Sequence, residues 1–191
     1  MVTVIAEISV SADGIVAGPD TSAEHRLGKG GDLLHEWLFD GTEADGEVAA
    51  KLFEGTGAFV VGRTMFDVGI DVWGDDGTFE KPVFVVTNRP HDPVVKGPTT
   101  FTFVTEGIES ALAQAKAAAG ADNVVVMGGG TTLRQFLSAG LVDELRLHVV
   151  PLLFGHGVRL FDGPAGEHVR LERTAVSETP NATHLTFRVL R

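Results

Sequence analysis

Val126-Met127-Gly128-Gly129-Gly130-Thr131-Thr132 is the stretch that decides how this chain folds. Before it, Asn123 to Met127 is an apolar run rich in valine, the pattern of a buried strand. After it, Thr131 to Ala139 carries helical spacing. The order is therefore strand, glycines, helix. Three successive glycines let the backbone come close to a ligand. The free N–H groups and the dipole of a helix start attract an anion, so the turn fits a diphosphate. It is neither the GxGxxG fingerprint nor a P-loop, which needs a lysine. Alone, it is also readable as a mere sharp turn.

Moving outward, the same alternation recurs. Val2 to Val10 is a β-branched strand closed by the turn Ser11-Ala12-Asp13-Gly14, and Pro19 to Gly31 is a polar, glycine-rich loop. Asp32 to Phe39 and Glu43 to Phe53 are helical candidates, the second ending at Gly55. Ala58-Phe59-Val60-Val61-Gly62 and Pro82 to Val86 are buried-strand runs, and Arg63 to Phe66 opens a helix or turn. Thr100 to Val104 is a strand, and Ile108 to Ala119 an alanine-rich helix closed by Gly120. Glu144 to Val150 alternates, which puts Leu145, Leu147 and Val149 on one face. Val169 to Ser177 and His184 to Leu190 form a hairpin around Pro180-Asn181. Strands alternating with helices make an α/β fold with a mostly parallel central sheet and an antiparallel C-terminal edge. No repeat or linker divides residues 1–191, so a single domain is expected.

The balance of 15 basic against 26 acidic residues gives a net charge of −11, which disfavours a nucleic-acid partner. There is no cysteine, hence no disulfide and no thiolate chemistry. The N-terminus lacks the basic start of a signal peptide, and no apolar run approaches a membrane span, so a cytoplasmic location is expected. The histidines show no helical ligand pair, so no metal is expected. Asp71 to Gly77 is acidic but lacks the closing glutamate of a calcium loop, and reads as a solvated loop and candidate lid. No serine sits in a nucleophile elbow.

Two other strand ends strengthen the anion reading. Gly62-Arg63-Thr64 and Thr87-Asn88-Arg89 each follow a buried strand, and parallel α/β sheets bind ligands beyond such ends. Each supplies a planar guanidinium with a hydroxyl or amide, groups suited to a phosphate.

With these segments in hand, the chain resembles the dihydrofolate-reductase-like superfamily. Its best match there is the branch related to the C-terminal reductase domain of bifunctional riboflavin-biosynthesis deaminase-reductases. Five segments carry the resemblance, in order: 9–17 (Ser-Val-Ser-Ala-Asp-Gly-Ile-Val-Ala), 61–66 (Val-Gly-Arg-Thr-Met-Phe), 86–89 (Val-Thr-Asn-Arg), 126–133, and 141–161 with Pro151-Leu152-Leu153-Phe154-Gly155-His156-Gly157. The resemblance implies a three-layer fold and NADPH as cofactor. Gly128, Gly129, Gly130, Thr131 and Thr132 would bind the pyrophosphate. Gly62, Arg63 and Thr64 would hold the adenosine end, with Arg63 near the 2′-phosphate. Thr87, Asn88 and Arg89 would flank the adenine ribose. Asp13 to Ala17 would lie beside the nicotinamide, mostly through backbone.

The implied chemistry is hydride transfer to a C=N or C=O carbon of a small heterocyclic or sugar-derived substrate. The cofactor carries the hard step, and the protein positions it and supplies a proton. Asp32 and His35 are the candidate proton donors. Asp32 is also readable as a helix N-cap, and His35 as a packing or surface residue. Trp37 reads as core or pocket wall. The resemblance further implies a homodimer paired through 141–161. The competing function is a nucleotide-binding protein without catalysis.

Overall fold

The computed structural model describes residues 2–22, 24–162 and 168–190. In chain order the elements are β1 (Val4–Ser11), β2 (Ile15–Ala17), a 3-10 turn (Gly31–His35), α1 (Glu36–Phe39), α2 (Glu43–Ala49), β3 (Thr56–Gly62), α3 (Arg63–Gly69), β4 (Val83–Val86), β5 (Val94–Lys96) and β6 (Thr99–Val104). Then follow α4 (Ile108–Ala119), β7 (Asn123–Val126), α5 (Gly130–Ser138), β8 (Glu144–Val150), β9 (Val158–Arg159), β10 (Arg170–Glu178) and β11 (Thr183–Leu190). The main sheet has nine strands in the order β10-β11-β8-β1-β7-β3-β4-β6-β5. By contacts the chain divides into two compact units, the first made of residues up to Ala6 with Gly55–Val142, the second of Glu7–Glu54 with Asp143–Arg191.

In the first unit the start of β1, β7, β3, β4 and β6 run parallel, and β5 is antiparallel to β6. All seven residues of β3 are buried, which is why Ala58 to Gly62 is continuously apolar instead of alternating. α4 buries Ala111, Leu112, Ala115 and Ala119 on one face. The alanines let it come close to β3: a Cβ on Gly57 would lie 2.7 Å from both the Cα and the carbonyl oxygen of Ala119. These are backbone atoms and cannot swing aside. Gly57→Ala is therefore expected to lower stability by about 1–3 kcal/mol. A denaturant titration showing no loss would contradict that packing.

Asp71 to Gly77 is not a free loop. Trp73 stacks on Phe101 at 5.6 Å and meets Phe79 edge-on at 4.9 Å. Lys96 Nζ donates to the carbonyls of Ile70 and Gly74. Asp71, Asp75 and Asp76 are exposed, as a solvated loop requires, while Trp73 anchors the segment.

In the second unit β8, β11 and β10 are antiparallel neighbours. Trp37, Leu34, Leu52, Val150 and Ala182 make a core cluster. The expected face of β8 is corrected. Leu145 is buried, but so are His148 and Val150 from the opposite face, while Leu147 and Val149 are half-buried. Packing of Trp37 on His148 buries a polar residue there. The first helical candidate is also corrected: it splits into the 3-10 turn and the single turn of α1, and its N-cap is Gly30 at φ 72°, not Asp32. α2 ends at Ala49 instead of continuing to Phe53.

α2 starts with a capping box in which the Thr42 hydroxyl accepts from the Asp45 amide and Asp45 accepts from the Thr42 amide. Asp45 is fully buried and also accepts from Asn181 Nδ2 at 2.8 Å. Burial pushes its pKa up, but hydrogen bonds from Thr179, Thr42 and Asn181 outweigh that and bring it down to about 2. A carboxyl whose folded pKa is depressed stabilises the fold above its unfolded value near 4. That contribution fades as pH falls from about 4 through about 2. Asp45→Ala is expected to cost about 1–2 kcal/mol at neutral pH. The difference from wild type should shrink in acid unfolding curves. An undiminished difference at pH 2 would contradict the assignment.

Candidate functional site

The glycine turn lies in the first unit, at the C-terminal end of β7. Met127 N–H donates to the Val60 carbonyl at 3.0 Å, and Gly62 N–H donates to the Gly128 carbonyl at 2.7 Å, so the ends of β7 and β3 are tied together. Gly128 has φ 99°, which requires glycine. The Gly128–Gly129 peptide is cis. Gly129 is the N-cap of α5 and offers no side-chain cap. The Leu133 amide bonds back to Gly129, leaving the amides of Gly130, Thr131 and Thr132 without intrahelical acceptors. A Cβ on Gly129 would meet nothing within 4 Å, so open space lies beside the uncapped helix start. A Cβ on Gly62 would instead run into the Thr132 hydroxyl. Thr132 is buried, and Thr131 is exposed and accepts from Arg134 at 3.2 Å.

The neighbouring strand ends carry the arginines. β3 pairs with β4, and Gly62 stands opposite Val86. Arg63 Nε binds Asp67 at 2.7 Å, and Arg89 Nη2 binds the other oxygen of Asp67 at 2.8 Å. Two guanidiniums thus share one carboxylate. Burial raises the Asp67 pKa, but the bonds from Arg63 and Arg89 prevail and lower it. Arg63 also packs over the rings of Phe103 and Phe66, and its side chain is 19% exposed against 67% for Arg89. Arg89 therefore presents more of its cation than Arg63, a ranking that sequence order did not reveal. The Thr87 hydroxyl accepts from the Arg89 amide at 3.0 Å and so shapes the turn that presents Arg89. Asn88 and Thr64 are exposed. The first unit thus gathers Gly62, Arg63, Thr87, Arg89 and the 128–132 turn at three adjacent strand ends.

The remaining candidates belong to the second unit. The Asp13 carboxylate accepts from the Ser11 hydroxyl at 2.6 Å and from the amides of Gly155 and Phe154 at 2.7 and 3.2 Å. The Ser11 bond first, then that of Gly155, hold its pKa down to about 2. Its side chain is committed to clasping residues 154–155. Ala17 is half-buried in β2 and stands opposite Val158 of β9. Asp32 is exposed. His35 Nδ1 is buried without a partner, and burial lowers the pKa of the ring. Trp37 is buried and donates to the Ser9 hydroxyl at 3.0 Å, which makes it core.

A family model described as the RibD C-terminal domain matches residues 2–185. The chain belongs to that family. RibD C-terminal domains are reductase domains of riboflavin-pathway type, and the fold expected from the resemblance is the one observed. A Shewanella sp. PV-4 protein assigned to riboflavin biosynthesis is 26% identical in its crystal structure, with a TM-score of 0.76 and 99% of each chain covered. The protein YwjB of Bacillus subtilis strain 168, itself uncharacterized, is 25% identical over 158 residues, 81% of this chain and 79% of that one. The deaminase/5-amino-6-(5-phosphoribosylamino)uracil reductase of Thermotoga maritima matches in fold, with 14% identity and a TM-score of 0.63, and this chain spans 57% of its length.

Within this RibD C-terminal fold, sequence reasoning missed Asp67 and the buried trio Glu7, His148 and His184. Asp67 had a signal: it stands four residues after Arg63, the spacing of a helical ion pair. The trio lies on three strands far apart in sequence, and no local pattern links them. No helix among the described residues is long and apolar enough to cross a membrane.

Proposed function

We propose that this chain is an NADPH-dependent reductase. The observation that carries the proposal is the open space at Gly129, beside an uncapped helix start and next to two strand ends bearing arginines. An anion placed there would meet free backbone amides and the positive end of the α5 dipole. Gly128 to Thr132 would hold the pyrophosphate. Gly62, Arg63 and Thr64 would hold the adenosine end, with Thr87, Asn88 and Arg89 at its ribose. Arg63 and Arg89, steadied by Asp67, would grip the 2′-phosphate. The family resemblance alone assigns the nicotinamide side to Asp13 and Ala17 and offers Asp32 as a proton donor; His35 is a candidate donor because an imidazole can give a proton near neutral pH. The cofactor would supply a hydride for a C=N or C=O carbon, and the chain's own residues would orient it and provide the proton.

Incubating the protein with NADPH and a panel of aldehydes, imines and pterins tests the enzymatic reading. NADPH oxidation with at least one acceptor is expected. Stoichiometric binding with no oxidation across the panel would favour a non-catalytic nucleotide-binding protein. We also propose a homodimer through residues 141–161, where Leu153 and Phe161 are 74% and 60% exposed. A monomer mass by light scattering at tens of micromolar would contradict it.

A further inference from the structure

The second unit holds a buried polar line that the cofactor reading does not use. Glu7 of β1, His148 of β8 and His184 of β11 are 4%, 6% and 7% exposed. His148 Nε2 lies 3.2 Å from Glu7 Oε1, and its Nδ1 lies 2.8 Å from Nδ1 of His184. His184 Nε2 lies 3.4 Å from the Thr179 hydroxyl. Trp37 packs against both rings, at 4.7 and 4.9 Å, while its own N–H is spent on Ser9. The second carboxyl oxygen, Glu7 Oε2, is buried and has no hydrogen-bond partner. Leaving such an atom unpaired is costly, more so when it is charged. A cavity of about 210 Å³ opens on this line, bounded by the three residues together with Val48, Leu52, Lys51 and Arg146. The orphan oxygen belongs to a residue that lines this cavity. Among the described residues no cluster of His, Cys, Asp and Glu could hold a metal ion.

The ring geometry restricts where protons sit. Two imidazoles facing through Nδ1 need one donor and one acceptor. In one arrangement Glu7 is a carboxylate, His148 donates to it from Nε2, and His184 donates from Nδ1 to His148. In the other, Glu7 carries a proton and donates to His148 Nε2, His148 donates from Nδ1 to His184, and His184 donates from Nε2 to Thr179. The second satisfies every contact in the line; the first does so only when the Thr179 hydroxyl turns its one proton to His184 Nε2. The two differ by one proton. Burial first, then neighbouring His148, brings the His184 pKa down to about 4, so its ring is neutral at pH 7 and free to serve as either donor or acceptor.

We propose that Glu7, His148 and His184 form a proton relay that delivers a proton from Glu7 to an acceptor atom of a ligand in this cavity. The use of that proton rests on the reductase reading, with Glu7 as the donor in place of Asp32 or His35: hydride addition to C=N or C=O leaves a nitrogen or oxygen that must be protonated. A proton from solvent bonds to His184 Nε2, and the proton on its Nδ1 passes to His148 Nδ1. The proton on His148 Nε2 passes to Glu7, which gives it to the ligand and returns to carboxylate. The rings regain their first arrangement by exchange with water. The charged and titratable groups around the line are Lys51, Arg146, Asp45, which acts on His184, and His35, which acts on His148.

The test needs no substrate. In the isotope-labelled full chain, NMR follows the Glu7 carboxyl carbon and the ring nitrogens of His148 and His184 from about pH 4 to about pH 9. Protonation of Glu7 and a tautomer change in both rings are expected in one shared step. Glu7→Gln should lock both rings in one tautomer, and Glu7→Asp should restore the shared step. Rings that keep fixed tautomers while Glu7 titrates alone, or a Glu7 that does not titrate, would overturn the relay. If Glu7→Gln does not fold, the wild-type titration decides alone. Absence of the shared step in a protein that binds NADPH refutes the relay only. A protein that shows the step but does not bind NADPH refutes the reductase reading only.

Discussion

Gly129→Val is expected to leave the fold intact and to remove NADPH binding. Gly129 has φ −61° and ψ −177°, a conformation open to any residue. A Cβ there meets nothing within 4 Å, so the chain itself has room for it. The stability change should be small beside the loss of binding, since no other part of the chain crowds that Cβ. The valine would stand in the space where, in the proposed complex, the pyrophosphate would approach the free amides of α5. Affinity for NADPH should fall about 100-fold or more, equivalent to ~2.7 kcal/mol. Thermal unfolding read with and without NADPH separates the two effects. If the glycines were only a sharp turn, the variant would bind as wild type does. Gly128 offers no such separation, because its φ of 99° makes any substitution strain the fold directly.

The second large effect concerns the shared carboxylate. Removing either arginine alone leaves its partner paired with Asp67, still able to meet a 2′-phosphate. Removing both leaves Asp67 with neither of its two cations and an anion where the phosphate would sit. Arg89→Ala should weaken NADPH by about tenfold, consistent with ~1.5 kcal/mol for a charge-assisted hydrogen bond. It should exceed the effect of Arg63→Ala, since Arg89 is the more exposed of the two. The double variant should lose about 100-fold for NADPH and change little for NADH. Equal losses for both nucleotides would mean that the arginines do not read the 2′-phosphate.

Much of the first unit was legible from local patterns. Buried parallel strands are continuously apolar, so β3, β4 and β7 announced themselves, and α4 was bounded by its alanines and Gly120. The turn at 128–130 was visible because glycine is informative wherever backbone must approach a ligand. What stayed hidden depends on contacts between distant strands. Burial of His148 in place of Leu147 follows from Trp37 packing across the sheet, which the alternation of β8 does not encode. The short strands β2 and β9 exist only through their pairing with each other. Asp13 was placed correctly in a turn, but its clasp on residues 154–155 joins positions more than 140 residues apart.

Titrating the wild-type protein with NADPH and, separately, NADH by calorimetry tests the central claim most directly. Saturable NADPH binding, with NADH weaker by about tenfold or more (~1.4 kcal/mol), is the expected result. No heat with either nucleotide at millimolar concentration, or equal affinity for both, would contradict a dinucleotide site built on the glycine turn and the two arginines.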